Sequence, residues 1–321
     1  MKVKELGEVK VISALKKLVR RRRREVLLGI GDDSCLLKNG EILTTDSFLA
    51  GVHFDLRYFD YRTLGERITC ATLSDIAAMA GKPILILVSL YLPREMERKD
   101  LLSLYQGIEN ICRRYNCQVA GGDIVASPKL GITLTALGKS DKAVRRDSAR
   151  VGDKVFLTGY LGMAETGRIA LAQGLSRKEY PKTIVRHLRP LPRIFEAWQM
   201  RKKLNSLIDT SDGLSTDLNH LARESKVKIK IFWEKLPIHK ETKRLAKRLK
   251  IDLKDFLFSA GEDFELLFTS DKEIPKEIRG LKIAEIGKCE KGRGVFFIKE
   301  GKEYPLPPTG YDHLTAENNL L

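Results

Sequence analysis

No segment of this 321-residue sequence is apolar for long enough to cross a bilayer. The longest nearly unbroken apolar run, Ile84 to Leu92, falls far short of the roughly 20 residues a spanning helix needs. Met-Lys-Val-Lys-Glu at the start leads into no hydrophobic segment of the signal-peptide kind. A soluble, cytoplasmic protein with no membrane partner is expected. Cysteine is scarce and odd in number (Cys35, Cys70, Cys112, Cys117, Cys289), and no Cys-x-x-Cys pair occurs, so neither a disulfide framework nor a cysteine zinc site is suggested. The histidines are scattered with no His-x-x-x-His pair, which argues against a transition-metal site. The common nucleotide loops are missing too: there is no Gly-x-x-x-x-Gly-Lys-[Ser/Thr] segment and no protein-kinase signature set. Gly29-Ile30-Gly31 imitates the start of a dinucleotide loop. However, position 34 is Ser rather than Gly, the next stretch reads as a strand, and two acids stand where pyrophosphate would approach.

Acids are outnumbered, 42 against 58 basic residues, for a net charge of +16. Such a surplus raises the idea of a nucleic-acid-binding protein, the alternative from a different functional class. Its densest point, Arg20 to Arg24, reads as a solvated helix end, because the aromatic residues on which single strands stack are absent nearby. No nucleic-acid partner is expected, and a basic surface would equally attract a polyphosphate substrate.

Nine of the 42 acids recur in a common setting. Gly29-Ile30-Gly31-Asp32-Asp33-Ser34, Thr44-Thr45-Asp46-Ser47, Ser74-Asp75, Gly121-Gly122-Asp123, Asp209-Thr210-Ser211-Asp212-Gly213 and Gly261-Glu262-Asp263 each present a carboxylate in a flexible, mostly hydroxyl-rich setting. Any one of these is a plain Asx-turn or helix cap. Six in one basic chain point to Mg²⁺, which takes oxygen ligands and usually binds through few carboxylates plus substrate phosphates. Carboxylates repel phosphates unless a divalent cation lies between them, so the clusters read as a multi-metal phosphate site.

Periodicity and breakers give the organisation. Cys35 to Leu43 reads as a hairpin on an Asn-Gly turn, flanked by Asp33 and Asp46. Thr63 to Ala80 reads as a helix stopped by Gly81 and Pro83, Ile84 to Leu92 as a buried strand, Arg98 to Tyr115 as a helix, and Cys117 to Ala120 and Ile132 to Leu137 as strands. The polar stretch Lys139 to Asp153 is the expected linker. Beyond it, helices are expected near 162–173, 193–203, 214–224 and 240–250, with strands near 206–209, 227–232, 264–269, 283–287 and 295–299. On the first long helix Ile68, Ala71, Asp75 and Met79 share one face, which places a carboxylate in the middle of an apolar stripe. A charge there needs a partner or a cation. Gly121-Gly122-Asp123 follows a strand, where paired glycines allow backbone amides to approach a phosphate. Asp209 and Asp212 bracket the opening of the helix from Leu214, with Ser211 or Asp212 as its N-cap.

Taken in order, these motifs, with His53 shortly after Thr44-Thr45-Asp46-Ser47, with Leu73-Ser74-Asp75-Ile76-Ala77-Ala78-Met79-Ala80-Gly81, and with Glu262-Asp263-Phe264-Glu265-Leu266, resemble the thiamine-monophosphate kinase family from about residue 26 to Tyr311. That family belongs to the aminoimidazole ribonucleotide synthetase superfamily. The resemblance implies a two-domain α+β / α/β fold. Residues 1–140 would form an N-terminal α+β domain for dimerisation and ATP/Mg binding, its mixed sheet pairing with that of a second subunit into a dimeric β-barrel. Residues 150–321 would form a C-terminal α/β domain covering the active-site cleft. It further implies ATP-dependent phosphorylation of thiamine monophosphate to thiamine diphosphate by a homodimer using several Mg²⁺ ions. Carried over position by position, Asp33, Thr44, Thr45, Asp46, Asp75, Asp123, Asp209 and Asp212 are the implied metal ligands. Tyr105, Gly122, Asp123, Arg146 and Ser211 would contact ATP, and His53, Glu262 and Tyr311 would line the acceptor pocket. Tyr105 fits a core position of its helix equally well, and the adjacent Arg145 leaves the register at Arg146 open. No catalytic acid or base is implied, because a phosphate acceptor is already ionised. A selenophosphate synthetase would want a reactive Cys in its N-terminal glycine-rich segment, which is lacking here, and the hydrogenase-maturation relative would end in Cys.

Overall fold

The computed structural model describes residues 2–19 and 23–314. Three arginines of the basic run, Arg20 to Arg22, lie outside the described residues. Arg23 pairs with Glu25 at 3.3 Å on the surface.

Helix α1 (Glu8–Leu18) precedes a short strand β1 (Val26–Leu28) and the expected hairpin of β2 (Cys35–Leu37) and β3 (Glu41–Leu49). Helix α2 (Tyr61–Ala78) starts at Asp60, whose carboxylate accepts the Thr63 N–H at 2.8 Å. It gives way to β4 (Lys82–Leu92), α3 (Arg98–Arg114), β5 (Gln118–Ala126) and β6 (Gly131–Lys139). These strands form an open six-stranded sheet in the order β1-β2-β3-β6-β4-β5, antiparallel except for β4 beside β5.

Three expectations are corrected here. Asp46 stands within β3, which continues to Leu49, rather than at the end of the hairpin. Gly121-Gly122-Asp123 does not follow a strand but lies inside β5. Helix α2 is not amphipathic: Ile68, Ala71 and Met79 are buried, but so are Thr69, Thr72 and Ser74 on its other faces. The reason is its position. One continuous cluster of buried side chains runs from the first sheet through α2 to Phe156, Leu207, Leu266 and Phe268 in the second half of the chain.

The stretch expected as a linker is packed: Ser140, Val144 and Ala149 are buried, and Arg146–Ser148 forms a 3₁₀ turn. After it come β7 (Lys154–Thr158), α4 (Met163–Ala172), α5 (Pro181–Leu188), α6 (Ile194–Met200), β8 (Ser206–Asp209), α7 (Leu214–Ser225) and β9 (Lys228–Phe232). The chain then forms α8 (Lys240–Leu249), α9 (Leu253–Ser259), β10 (Leu266–Ser270), β11 (Glu277–Ile278), β12 (Leu281–Glu290), β13 (Gly294–Lys299) and β14 (Lys302–Pro305). The second sheet has the order β14-β13-β9-β12-β7-β10-β8, with β11 paired to β12. It carries helices as an α/β half should. Its strands are antiparallel apart from β9 and β13, so the classical all-parallel arrangement is not the one found. Among the described residues no helix is long and apolar enough to cross a membrane.

Candidate active site

Four elements deliver acids to one junction between the sheets. The turn after β1 brings Asp33, β3 brings Thr44 and Asp46, α2 brings Asp75, and the end of β8 with the β8–α7 connection brings Asp209 and Asp212. The Thr45 side chain instead points to the other face of β3, where its hydroxyl meets that of Thr135 at 3.1 Å. The Thr44 hydroxyl donates to Asp75 Oδ2 at 2.5 Å, and the Ser74 hydroxyl donates to Asp209 Oδ2 at 2.5 Å. Consecutive residues of α2 thus tie the first half of the chain to the second. Arg146 lies over the Gly31-Asp32-Asp33 turn. Its Nε donates to the Gly31 carbonyl at 3.0 Å, its backbone N–H donates to Asp32 at 3.3 Å, and its guanidinium stands 3.8 Å from both Asp32 and Asp33. Arg145 instead pairs with Asp147. Of the two arginines, Arg146 is the one that faces the acids.

Burial raises the carboxyl of every member, and neighbouring acids add to it at all but Asp46. Burial raises the Asp33 carboxyl well above its ordinary range despite the lowering by Arg146. Burial and then Asp46, Asp209 and Asp33 do the same to Asp75. Asp46 is raised by burial against a hydrogen bond from Thr72. Asp209 is pushed up to about 7 and Asp212 to about 6, burial leading in both. Asp33 Oδ2 and Asp209 Oδ1 are buried with no hydrogen-bond partner, as is Oδ2 of Asp217, a residue of α7 that the sequence reading passed over. Buried, unpartnered carboxylate oxygens are costly unless a cation completes them. The donor set of carboxylates and hydroxyls therefore fits Mg²⁺. Among the described residues no three His, Cys, Asp or Glu side chains group closely enough to hold an ion alone. Oxygens from a bound phosphate would have to complete the coordination, as Mg²⁺ sites commonly require.

A testable consequence follows from the raised carboxyls. A group whose folded-state pKa exceeds its unfolded value binds more protons folded than unfolded, so stability falls as pH rises between the two values. For Asp209 that interval runs from the ordinary 3.8 to about 7, and for Asp212 from 3.8 to about 6. Bound Mg²⁺ replaces those protons and removes the penalty. With ATP present throughout to complete the coordination, the gain in melting temperature on replacing EDTA with Mg²⁺ should therefore grow from pH 5 to pH 7.5. An equal gain at both pH values would count against these carboxylates as ligands.

Beside the acids opens a cleft of about 810 Å³, lined in part by Thr45, Asp46, Asp75, Ser211 and Asp212 at one end and by His53, Glu262 and Tyr311. His53 stacks 4.9 Å from His313, which meets Tyr311 edge-on at 4.8 Å, forming an aromatic wall. His53 Nδ1 accepts the Leu49 N–H at 3.1 Å, and burial followed by His313 lowers its pKa, so the neutral ring carries its proton on Nε2. Glu262 adopts a left-handed φ of 62°, and its N–H donates to the Ser211 carbonyl at 2.8 Å. Its carboxylate forms an ion pair with Arg67 at 2.7 Å. Arg67 and His313 went unnoticed in sequence: a helical arginine beside Glu66 reads as surface charge, and His313 belongs to no pattern.

Tyr105, Gly122 and Asp123 reach neither the acid junction nor this cleft within one chain. Tyr105 is half-buried on α3, where it packs against the edge of the first core. Gly122 and the exposed Asp123 lie on the edge strand β5. Register aligns Ser47 with Thr133, Thr133 with Ser89, and Ser89 with Asp123. Three inter-strand steps therefore separate β3 from β5, about 14 Å.

Comparison with known proteins locates this arrangement. The family profile of AIR synthase related protein, N-terminal domain, matches residues 31–140. Thiamine-monophosphate kinase of Aquifex aeolicus is 37% identical over 320 residues, covering 98% of this chain and 100% of that protein. The Escherichia coli K12 thiamine-monophosphate kinase is 32% identical, covering 97% and 99%. A solved structure of AaThiL complexed with AMPPCP and TMP is 36% identical, covers 98% of this chain and 99% of its own, and superposes with a TM-score of 0.88.

Proposed function

Because this chain belongs to the thiamine-monophosphate kinase family, we propose that it transfers the γ-phosphate of ATP to thiamine monophosphate, giving thiamine diphosphate and ADP in the last step of thiamine diphosphate biosynthesis in the cytoplasm. Its fold of two mixed sheets and packed helices is that of the aminoimidazole ribonucleotide synthetase superfamily. One observation carries the proposal: a cluster of oxygen donors with orphaned carboxylate oxygens adjoins an aromatic, partly acidic cleft. The first suits metal-bridged phosphates, and the second suits a flat, cationic heteroaromatic acceptor.

An acceptor phosphate is already ionised, so attack on the γ-phosphorus needs no general base, and positioning with charge neutralisation suffices. Mg²⁺, when bound, supplies that neutralisation and screens the acids from the phosphates. Asp33, Thr44, Asp46, Asp75, Asp209 and Asp212 would hold it. The Thr44 and Ser74 hydroxyls orient Asp75 and Asp209. Arg146 lies against the Gly31–Asp33 turn, as does the Lys16 ammonium, and would release that turn to meet nucleotide phosphate. Neutral His53 would donate from Nε2 to the acceptor, with Glu262 and Tyr311 holding its rings.

Asp123 and Gly122 enter this scheme through a second subunit. The outer side of the first sheet exposes Leu87, Tyr91 and Val125, and burying such a patch against a second copy would favour a homodimer. In that dimer β5 of one subunit would serve the cleft of its partner, with the division between residues 1–140 and 150–321 separating the pairing half from the covering half. No nucleic-acid partner is invoked.

The test is a coupled product assay with purified protein, thiamine monophosphate, ATP and Mg²⁺. Equal formation of thiamine diphosphate and ADP, abolished by EDTA, is expected. ADP without thiamine diphosphate would keep the nucleotide site and overturn the acceptor. No turnover by folded protein would overturn the proposal.

A further inference from the structure

We infer that Arg67 is a positioning residue for the acceptor: from within helix α2 it pins the Glu262 carboxylate at the cleft wall and so sets acceptor affinity. The inference rests on the reading of Glu262 as an acceptor contact. The Arg67 side chain is only 4% exposed, so it meets no ligand directly and acts through what it holds. Three contacts fix it. One guanidinium nitrogen stands 2.7 Å from Glu262 Oε2, another donates to the His187 carbonyl, and the group lies 5.8 Å over the Phe59 ring.

Glu262 is held from its other side as well. Its left-handed φ of 62° is uncommon for a residue with a side chain, and such conformations persist where their surroundings impose them. Here the Glu262 N–H donates to the Ser211 carbonyl at 2.8 Å. Gly261 packs so closely that an added Cβ would lie 2.4 Å from that same oxygen. The backbone of Glu262 is thereby anchored to the β8–α7 connection and its carboxylate to α2. A glutamate 40% exposed would otherwise sample many rotamers. Arg67 faces Oε2 as an ion pair without hydrogen-bond alignment, and Oε1 is left for a donor on the ligand. Holding a recognition group in its bound geometry improves affinity by removing the ordering cost of binding.

The test compares Arg67→Met, Arg67→Lys, Glu262→Gln and the double variant Arg67→Met/Glu262→Gln. KM for thiamine monophosphate, KM for ATP, kcat and melting temperature are measured for each. Arg67→Met should raise the thiamine monophosphate KM about tenfold, the scale of one freed side chain, with kcat and ATP KM changed less than twofold. Arg67→Lys, which keeps the charge but loses the planar fork, should restore part of the affinity. The double variant should bind thiamine monophosphate no worse than Glu262→Gln, since the two residues act as one unit. A raised KM in Glu262→Gln with an unchanged KM in Arg67→Met would overturn the inference alone. An unchanged KM in Glu262→Gln would overturn its premise and the inference with it. Should Arg67→Met not fold, calorimetric titration of Arg67→Lys with thiamine monophosphate makes the same comparison, and unweakened binding there overturns the inference.

Discussion

Asp75→Asn is expected to lower turnover by about 100-fold or more while raising the melting temperature of the metal-free protein. These two effects have opposite signs for one reason. Asp75 is raised first by its burial and then by three other acids, Asp46, Asp209 and Asp33. Without a cation, its charge only adds to mutual repulsion, so a neutral amide of the same shape relieves the fold. With phosphates to be held, that same charge is what binds the bridging ion, and an amide is a far weaker ligand. Asparagine also retains an oxygen able to accept from the Thr44 hydroxyl, which donates to Asp75 at 2.5 Å in the parent protein, so lost activity would not reflect lost architecture. The measurement is steady-state kinetics over a Mg²⁺ titration, paired with thermal melts in EDTA. Turnover within threefold of the parent would remove Asp75 from the metal site. A drop in the EDTA melting temperature would show its charge to be structural.

The acids were legible in sequence because each motif is local. A carboxylate with glycines and hydroxyls beside it announces itself wherever the chain folds, and the structure gathers Asp33, Asp46, Asp75, Asp209 and Asp212 from segments far apart in sequence. Elements with strong periodicity and breakers were legible too: α2, β4 and α3 end within about two residues of where Gly81, Pro83 and the helical repeat put them. Helix α5 was not: none was expected between residues 173 and 193, yet Pro181 opens one at its first turn. Strand β5 was cut short for a similar reason. Two consecutive glycines read as a turn, yet here glycine is needed for close strand approach. Arg67 escaped because burial of a charge is a tertiary fact: Arg62, Glu66 and Arg67 look alike in sequence, and only the packing of α2 against both halves of the chain sets the last apart. The same limit explains Asp123. Its motif marks it as a site residue, but one chain leaves it at the sheet edge opposite β1.

Gly122→Ala is expected to be among the most damaging single substitutions in the first sheet, and it tests what that edge does. A Cβ at residue 122 would lie 1.7 Å from the Val88 carbonyl oxygen and 2.5 Å from its carbon, with the Val88 nitrogen at 2.9 Å. Backbone atoms of a central strand cannot swing aside as a side-chain tip can. Strand β5 must therefore lift from β4, breaking the parallel register from Leu85 to Leu92, at a cost of about 3 kcal/mol or more. Gly29 supplies the contrast: nothing lies within 4 Å of a Cβ built there, so Gly29→Ala should melt close to the parent. If β5 relaxes outward rather than unfolding, Asp123 moves with it, and a second subunit served by that strand loses a metal ligand. Sedimentation, thermal melts and kinetics together separate these routes. Dissociation into folded monomers marks β5 as part of the pairing surface. A folded dimer with kcat reduced about 100-fold marks Asp123 as acting across it. Parent-like melting, association and turnover together would mean that β5 is merely an edge, and the dimeric scheme for Asp123 would have to be abandoned.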